Sequence, residues 1–398
     1  MRRADLCHQV RERLRRLPPP FAAHYGVFPL PPPEHAIPLG EAIDSHRRAS
    51  EAMVRVNLLA SEFHDPYVVS RLLSRREAVS SSSIEGTHST LDELLAVEEA
   101  ENEDSASAAR QVRDYAIALE RRLPRAASRG NDIFTRKLVE DLHRDAMRND
   151  PDYQDVPGRL RERVVWIGGV RDIAYSTFNP PPPADVPEAL ADTISYMRGD
   201  GMQVMTQSLI TRMAAAHVHF EAVHPFRDGN GRVGRLLLPL MMAADNQVPL
   251  YLSPYIECHE GDYVAALKAA QQQLDWASVV RFIADAITGT VDELVVTREA
   301  LLSLGRQWRQ RRRFRAGSAA LQALDILTSY PVITAKRLAS RLDVSIPAAL
   351  NAIEQLTKAG IVQERTGHRR NRVFSAPEVL TIVNRPFGSK PVVGQDAA

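Results

Sequence analysis

The feature that most constrains the fold of this 398-residue chain is a glycine-rich segment between two apolar stretches. It spans residues 224–235, reads HPFRDGNGRVGR and contains three glycines. An apolar helix is predicted over residues 209–223, and a second apolar stretch, 236–242, follows the segment. Three glycines between helices let backbone N–H groups converge, and a loop that opens onto a helix N-terminus is a ready site for an anion.

The side chains of this segment fit the chemistry of phosphate groups. Arg232 and Arg235 are three residues apart, so they are neighbours at the start of the following helix, where guanidinium groups can bind phosphate oxygens. Asp228 supplies a carboxylate of the kind that holds Mg²⁺ beside phosphates. His224 is the residue of the segment that can accept a proton near neutral pH. The segment therefore predicts a base, a metal ligand, an anion site and positive charges close together.

Composition excludes several other classes of protein. The formal net charge is +1, from 50 Lys+Arg and 49 Asp+Glu, so no global field favours nucleic acid or a membrane. Two cysteines, Cys7 and Cys258, are too few for a disulfide framework and fit a reducing compartment. The N-terminus lacks the apolar run of a signal peptide, and the most apolar window, 236–244, is about half a membrane span. We therefore expect a cytoplasmic protein with no membrane partner.

Helical spacing of apolar residues predicts a mainly α-helical protein in several parts. Proline clusters at 18–20 and 31–33 predict an extended segment over residues 17–38. The β-prone runs near 164–167 and 173–175, on either side of a Gly-Gly pair, predict a small β-hairpin. The predicted parts are an N-terminal region over 1–108, a core over 109–305, a basic linker or solvated helix end over 306–318, a C-terminal module over 319–385 and a disordered tail over 386–398.

The C-terminal module resembles a winged helix-turn-helix. Three short helical stretches, 319–329, 334–342 and 345–359, precede a β-prone stretch over 360–374. The predicted wing carries the arginines Arg365, Arg369, Arg370 and Arg372. DNA contact through this wing is one prediction. The third helix is apolar and carries few charges, so a protein-docking or homodimer surface is the alternative.

Every fixed position of residues 224–235 matches the signature His-x-Phe-x-Asp/Glu-Gly-Asn-Gly-Arg-x-x-Arg, and the chain resembles the Fic family there. The resemblance extends over about residues 17–300. It implies a Fic-type helical bundle with a hairpin called the flap, and transfer of AMP from Mg·ATP to a Tyr, Thr or Ser hydroxyl of a target protein. Relatives that resemble the Doc toxins transfer phosphate and have Lys where this chain has Gly231, so glycine favours AMP transfer.

The resemblance also implies a role for each residue. His224 takes the proton of the target hydroxyl, Asp228 binds Mg²⁺ between the α- and β-phosphates, and Arg232 stabilises the departing pyrophosphate. Arg235 grips the γ-phosphate, and Phe226 packs into the core. The residues expected to contact ATP are Glu85, Gly229, Asn230, Gly231, Arg232, Val233, Gly234, Arg235 and Tyr263. The flap residues expected to hold the backbone of the target protein are Val165, Trp166, Ile167 and Gly168.

A second motif lies upstream of the glycine-rich segment. Ser81 and Glu85 are four residues apart, hence on one face of a helix, and Gly86 follows. This matches the family's inhibitory pattern, Ser/Thr-x-x-x-Glu-Gly/Asn. The resemblance implies that Glu85 pairs with Arg235 and takes the place of the γ-phosphate, so that ATP binds unproductively. An ordinary N-capped helix is the alternative interpretation.

Two further functions compete with AMP transfer. One is removal of AMP from modified targets, with Glu85 orienting a water. The other is a DNA-binding regulator that uses the core as a nucleotide sensor, although a sensor has no need of a base such as His224. A zinc site is disfavoured, because His217 and His219 are two residues apart and point in nearly opposite directions on a helix. Gln271 departs from the Asn that relatives often have there.

Overall fold

The structure is a computed structural model of the chain. It describes residues 1–61, 70–99, 107–169, 172–365 and 372–393. Over these residues the protein is mainly α-helical and has two small antiparallel sheets, so the predicted fold class is confirmed at this level.

Residues 17–38 form no helix, as the proline clusters predict, but they are not extended throughout, because residues 18–24 make two tight turns. The elements of the N-terminal part are helix α1 (His8–Glu12) and the paired strands β1 (Leu14–Arg16) and β2 (Tyr25–Val27). Val27 N donates to Asn179 O at 2.9 Å, so β2 runs beside the chain that leaves the flap. A side chain at Gly26 would collide with Pro180 O, and this close approach therefore requires glycine.

The middle of the chain is a bundle of helices. They are α2 (Ile43–Ser61), α3 (Ser70–Ile84), α4 (Leu91–Glu99), α5 (Ser107–Arg129), α6 (Arg136–Met147), α7 (Val186–Arg198), α8 (Gln203–Thr206), α9 (Leu209–Val223), α10 (Asn230–Ala244), α11 (Ser253–Cys258), α12 (Glu260–Gln273) and α13 (Trp276–Arg311). Every residue of α9 is buried, because α2, α7, α10, α12 and α13 pack around it. Among the described helices, none has both the length and the apolar character needed to cross a membrane.

Helix α13 crosses the predicted boundary between core and linker at residue 306. It continues to Arg311, so the first half of the basic stretch is helical. The reason is Trp308, which is fully buried and donates from Nε1 to Glu378 Oε2 at 2.8 Å. Arg311 also pairs with Glu378. The arginines of 306–311 therefore belong to a helix that joins the core to the C-terminal module.

The C-terminal module, residues 319–393, contains helices and a three-stranded sheet. Its elements are α14 (Ala319–Leu327), β3 (Val332–Thr334), α15 (Ala335–Leu342), α16 (Ile346–Lys358), β4 (Gln363–Glu364), β5 (Val373–Ser375) and α17 (Pro377–Asn384). The strand order is β3-β5-β4, and both pairings are antiparallel. Arg369 and Arg370 of the predicted wing lie outside the described residues.

The predicted disordered tail, 386–398, is wrong for residues 386–393. Phe387 meets the ring of Tyr255 edge-on, with 5.7 Å between ring centroids, and Arg385 Nε donates to Ser389 O at 2.9 Å. A single aromatic side chain that fills a surface made by distant helices leaves no periodic pattern in the sequence. Residues 394–398 lie outside the described part of the chain.

Candidate active site

The catalytic loop, residues 224–229, links the two apolar helices α9 and α10. His224 ends α9 with left-handed backbone angles (φ 48°), and Gly229 begins α10 with φ 75°. The positive φ of Gly229 favours glycine. A side chain there would also lie 2.6 Å from Met147 Sδ, so both the backbone and the packing require glycine. The first hydrogen bond of α10 runs from Val233 N to Gly229 O at 3.1 Å. The amides of residues 230–232 precede that bond and can receive an anion.

Asn230 closes the catalytic loop with its side chain. Its Oδ1 accepts from Phe226 N at 2.8 Å, and its Nδ2 donates to Phe226 O at 2.9 Å. The Phe226 ring is fully buried and stacks on His143 with 3.8 Å between centroids. Both polar ends of the Asn230 side chain are thus engaged by the loop, and the group that Asn230 can offer to phosphate is its backbone N–H.

His143, on α6, supports the catalytic loop from below and was missed by the sequence analysis. Gly158 N donates to His143 Nδ1 at 2.7 Å, so the ring proton is on Nε2, which donates to Asp228 O at 3.0 Å. Burial lowers the pKa of His143 to about 4, and the ring is neutral at pH 7. Its contacts are to backbone atoms far away in sequence, which no spacing rule reveals.

His224 has the geometry of a general base. Its Nδ1 lies 3.3 Å from Glu221 O, so Nδ1 carries the proton and Nε2 keeps its lone pair. Burial, helped by the charge of Arg161, lowers the pKa of His224 to about 4. The imidazole is therefore neutral near pH 7, in the form that can accept a proton.

Arg161 ties the base of the flap to the catalytic loop and was also missed as a functional residue. The side chain is buried, and it donates to His224 O from Nε and to Pro181 O from Nη2, both at 2.7 Å. Arg161 N donates to Pro225 O at 3.0 Å. Burial lowers the pKa of Arg161 to about 10. Arg161 Nη2 also donates to Val223 O at 3.3 Å, so these bonds hold the backbone on both sides of the point where His224 turns left-handed.

The motif that the sequence predicts to be inhibitory lies at the end of α3 and reaches the start of α10. We call Ser81, Glu85 and Gly86 the brake. Arg235 Nη2 donates to Glu85 Oε1 at 2.8 Å and to Ser81 O at 2.9 Å, and Arg235 Nε donates to Ser81 Oγ at 2.9 Å. A side chain at Gly231 would collide with Glu85 Oε1, so the carboxylate lies directly over the N-terminus of α10. Burial opposes the charge of Glu85, but Arg235 outweighs burial and holds the pKa of that carboxyl below its usual value.

Two features fix the brake on its helix. Glu77, one turn before Ser81, is buried and accepts from Ser253 N at 2.8 Å, from Ser253 Oγ at 2.6 Å and from Tyr115 OH at 3.0 Å. Gly86 has φ 80°, which ends α3 and favours glycine. Glu77 has no place in the sequence motif, and its partners come from two other helices.

The side chains of Arg232 and Asp228 have capacity left for ligands, in addition to the backbone amides of residues 230–232. Arg232 is buried, and Nη2 donates to Asp150 Oδ2 at 3.3 Å. Its Nε and Nη1 are buried without a hydrogen-bond partner among the residues described, an arrangement that calls for an acceptor such as phosphate. Asp228 is exposed, and one carboxylate oxygen accepts from Gly229 N at 2.6 Å. A lone exposed carboxylate fits Mg²⁺ that takes its other ligands from phosphates and water.

Three residues predicted to contact ATP are buried in the core. Val233 is fully buried, and a side chain at Gly234 would collide with Glu221 Oε1 on α9. Tyr263 is also buried, and its hydroxyl lies 2.7 Å from His217 Nε2. The role of these residues in binding ATP stays a prediction.

His217 and His219 are buried, hydrogen-bonding residues of the core. His217 contacts Tyr263, and His219 Nδ1 lies 2.8 Å from Thr193 Oγ1. Burial lowers the pKa of both imidazoles to about 3, so both are neutral at pH 7.

The predicted flap hairpin over 164–175 is wrong in its second strand. Ile167 pairs with Phe178 in an isolated antiparallel bridge, whereas Ile173–Tyr175 forms a 3-10 turn. The reason is Asp172, whose Oδ1 accepts from Ala174 N at 2.9 Å and closes the turn. Of the residues expected to hold the target, Val165, Trp166 and Ile167 are half-buried and Gly168 is exposed. Their contact with a target stays a prediction.

Two family models match this chain. The model of the Fic/DOC family matches residues 133–242, and the model of the Fic/DOC family N-terminal region matches residues 43–123. The first match contains the catalytic loop and Arg235, and the second contains the brake. The resemblance found in the sequence analysis is therefore confirmed.

Curated relatives match part of the chain. A probable protein adenylyltransferase of Aquifex aeolicus is 28% identical over 137 residues, which is 32% of this chain and 40% of that protein. The protein adenylyltransferase fic-1 of Caenorhabditis elegans is 31% identical over 157 residues, which is 39% of this chain and 28% of that protein. The matches therefore span less than half the length of these relatives.

Solved structures share the fold. A Fic family protein from Desulfovibrio desulfuricans superimposes with a TM-score of 0.52 and 20% identity, over 86% of this chain and 98% of that chain. Fic-1 (residues 134–508) from Caenorhabditis elegans superimposes with a TM-score of 0.51 and 24% identity, over 66% of this chain and 74% of that chain. The Fic-type helical core is thereby confirmed.

Proposed function

Because residues 43–123 and 133–242 belong to the Fic/DOC family, we propose that this chain transfers AMP from ATP to a hydroxyl group of a target protein and of itself. The observation that carries the proposal is the set of groups around the N-terminus of α10. Three groups lie on the catalytic loop and this helix. His224 is neutral and has an available Nε2, and Arg232 is buried with two unpaired nitrogens among the described residues. Arg235 is held by the carboxylate of Glu85, which a phosphate can replace. The printed names of the relatives support the same chemistry.

In the proposed reaction, Nε2 of His224 takes the proton of the target hydroxyl while the hydroxyl oxygen attacks the α-phosphorus. The bond between the α-phosphorus and the bridging oxygen to the β-phosphate breaks, and pyrophosphate leaves. The amides of residues 230–232 and the unpaired nitrogens of Arg232 stabilise the charge that develops on the phosphate oxygens. Mg²⁺ held by Asp228 would neutralise phosphate charge. The loop contributes positioning and electrostatics.

The same proposal includes autoinhibition. Glu85 carries a negative charge at the end of the α10 dipole and engages Arg235, which is where the γ-phosphate is expected. As long as this pair is intact, the triphosphate cannot use Arg235. ATP that binds beside the brake is then displaced from the position in which His224 and the α-phosphorus can react.

The test compares two labels on one variant. Purified Glu85→Gly protein is incubated with Mg²⁺ and with ATP labelled at either the α- or the γ-phosphate. We expect covalent label from α-labelled ATP alone, and none when His224→Ala is added as the control. Label from the γ-phosphate would instead show phosphate transfer, and absence of both labels would reject transfer to the chain itself.

DNA binding by the C-terminal module is the weaker of the two partner proposals. Arg365 pairs with Asp92 at 3.3 Å, and Arg372 pairs with Glu364, so both described wing arginines are engaged. Helix α16 exposes the apolar side chain of Ile346. Duplex binding would therefore depend on Arg369 and Arg370. A homodimer through the apolar face of α16 is the alternative, tested by the mass of the protein in solution.

A further inference from the structure

Helix α3, which ends in the brake, has contacts on two sides. Towards the active site it holds Ser81, Glu85 and the buried anchor Glu77. On the other side two arginines of the same helix, Arg71 and Arg76, contact the C-terminal module. The module therefore touches the helix that carries the inhibitory glutamate.

Arg76 is the stronger of these two contacts. Its Nη2 donates to Arg385 O at 2.7 Å and its Nη1 donates to Val383 O at 3.0 Å, at the C-terminal end of α17. Carbonyls at a helix C-terminus lack intrahelical partners and attract a positive charge. Glu293 Oε1 of α13 pairs with Arg76 at 3.2 Å and with Arg385 at 2.9 Å. Three elements, α3, α13 and α17, thus meet at one buried carboxylate.

Arg71 makes the second contact, one and a half turns earlier on α3. Its Nη1 donates to Ser329 O at 3.2 Å, and its guanidinium stacks on the ring of Tyr330 at 4.2 Å. Both residues lie in the module between α14 and β3. Glu98 of α4 pairs with Arg71 at 2.6 Å and with Arg75 at 2.9 Å, which joins α3 to α4.

Helix α4 is bound by the same module. Glu99 pairs with Arg337 of α15, and Asp92 pairs with Arg365 beyond β4, each at 3.3 Å. Asn384 Nδ2 at the end of α17 also donates to Asp92 Oδ1 at 3.2 Å. The module thus holds α3 through backbone carbonyls that accept from arginines of that helix, and it holds α4 mainly through arginine–carboxylate pairs.

We propose that the C-terminal module has a second function as a clamp on α3, which sets how readily Glu85 leaves Arg235. Arg76 lies near the middle of α3, nine residues and about 14 Å along the axis before Glu85, so fixing the middle of the helix restricts its last turn. Opening the last turn of α3 releases the brake, and the module opposes this opening. A ligand or partner that detached the module would then activate transfer. The activity readout of this inference rests on the proposed AMP transfer.

The test uses Arg76→Ala, with Arg309→Ala as the matched control. Arg309 of α13 pairs with Asp325 of α14, a contact between core and module that does not involve α3. Self-labelling by α-labelled ATP should rise by about 10-fold in Arg76→Ala and stay at the wild-type level in the control. In the Glu85→Gly background, Arg76→Ala should add nothing, because the brake is already absent.

A second readout does not depend on catalysis. Hydrogen–deuterium exchange of the amides of residues 72–86 should be faster in Arg76→Ala than in wild type or in Arg309→Ala. Unchanged exchange overturns the clamp, whatever the labelling result. Faster exchange with unchanged labelling, in a protein whose Glu85→Gly variant is labelled, overturns the link between clamp and brake. Loss of labelling in Glu85→Gly itself rejects the proposed function and leaves the exchange result to decide the clamp.

Arg76→Lys guards against a variant that does not fold. The lysine keeps the charge but has its donors on a single nitrogen, so it cannot occupy the separate positions from which Nη1 and Nη2 of Arg76 donate. Its labelling and exchange should lie between those of wild type and Arg76→Ala. Wild-type values for both in a folded Arg76→Lys protein, with Arg76→Ala unfolded, would reject the clamp.

Discussion

The catalytic loop and the brake meet at the N-terminus of α10, but different interactions hold them. The loop is fixed by hydrogen bonds to its backbone. Asn230 Oδ1 accepts from Phe226 N, and His143 Nε2 donates to Asp228 O. Arg161 Nε donates to His224 O. In the brake, the carboxylate of Glu85 is held by a charge pair with Arg235, while Ser81 accepts two hydrogen bonds from the same guanidinium. Hydrogen bonds to the backbone fix the geometry of the loop. The charge pair can be exchanged, because a γ-phosphate carries the negative charge needed to bind Arg235 in place of the Glu85 carboxylate. We therefore expect the loop to stay in place and Glu85 to be exchanged for a γ-phosphate.

Removing the proposed base, His224, tests the catalytic loop, which is the fixed part of the site. We expect His224→Ala in the Glu85→Gly background to lower the rate of self-labelling by about 10³-fold, within the range that general-base catalysis contributes. ATP affinity, measured by calorimetry, should remain, since the α10 amides and arginines bind the phosphates. Labelling at the parental rate would remove His224 from the mechanism.

Arg161 tests whether the loop must be held. Arg161→Gln in the same background should lower kcat by about 10²-fold with little change in KM, because His224 is displaced from its left-handed turn. Removing the positive charge also raises the pKa of His224, so the rising limb of the pH profile should move to higher pH. Arg161→Lys should keep the pH profile but regain only part of the rate. A uniform loss of soluble protein, with normal kinetics in what remains, would mean a purely structural role.

The lowered pKa of His224 predicts how kcat/KM depends on pH. Its value of about 4 lies below the usual 6.5, so the imidazole stays neutral and active until the pH approaches 4. For Glu85→Gly we expect kcat/KM to be nearly constant from about pH 6 to 8 and to fall at lower pH. An inflection at the ordinary histidine value would show that the burial seen here does not govern the base.

The wing arginines should have the smallest effect on transfer. Arg369→Ala with Arg370→Ala should leave self-labelling of Glu85→Gly unchanged, since the wing is remote in sequence from the catalytic loop. The same change should abolish duplex binding in an anisotropy titration at low salt, and binding by the unmodified chain should weaken steeply with added salt. If no duplex binds at low salt, the DNA prediction is wrong.

These contrasts also explain what the sequence could and could not predict. The catalytic loop and the brake depend on short spacings, so His224, Arg235 and Glu85 were found from residues 224–235 and 81–86. Arg161 and His143 act on carbonyls and amides that are distant in the chain, which side-chain identity does not encode. The prediction of the second flap strand is wrong because the side chain of Asp172 closes a turn, which β-propensity does not take into account.

Longer-range packing accounts for the remaining errors. The arginine-rich stretch predicted as a linker or a solvated helix end continues α13 as far as Arg311, because Trp308 finds a buried position against the C-terminal module. The tail is ordered through residue 393 because Phe387 packs on Tyr255. Each depends on one aromatic residue and a surface assembled from several helices, and composition alone favours the opposite prediction.

The most direct test of the account is the ratio of self-labelling rates between Glu85→Gly and wild type, with α-labelled ATP and Mg²⁺. Glu85→Asp is the matched control, because it keeps the charge but shortens the reach towards Arg235. We predict a ratio on the order of 10 to 100 for Glu85→Gly and a smaller rise for Glu85→Asp, since the pair must be broken before the γ-phosphate can use Arg235. Equal rates for Glu85→Gly and wild type would contradict the claim that Glu85 is an exchangeable brake on this site.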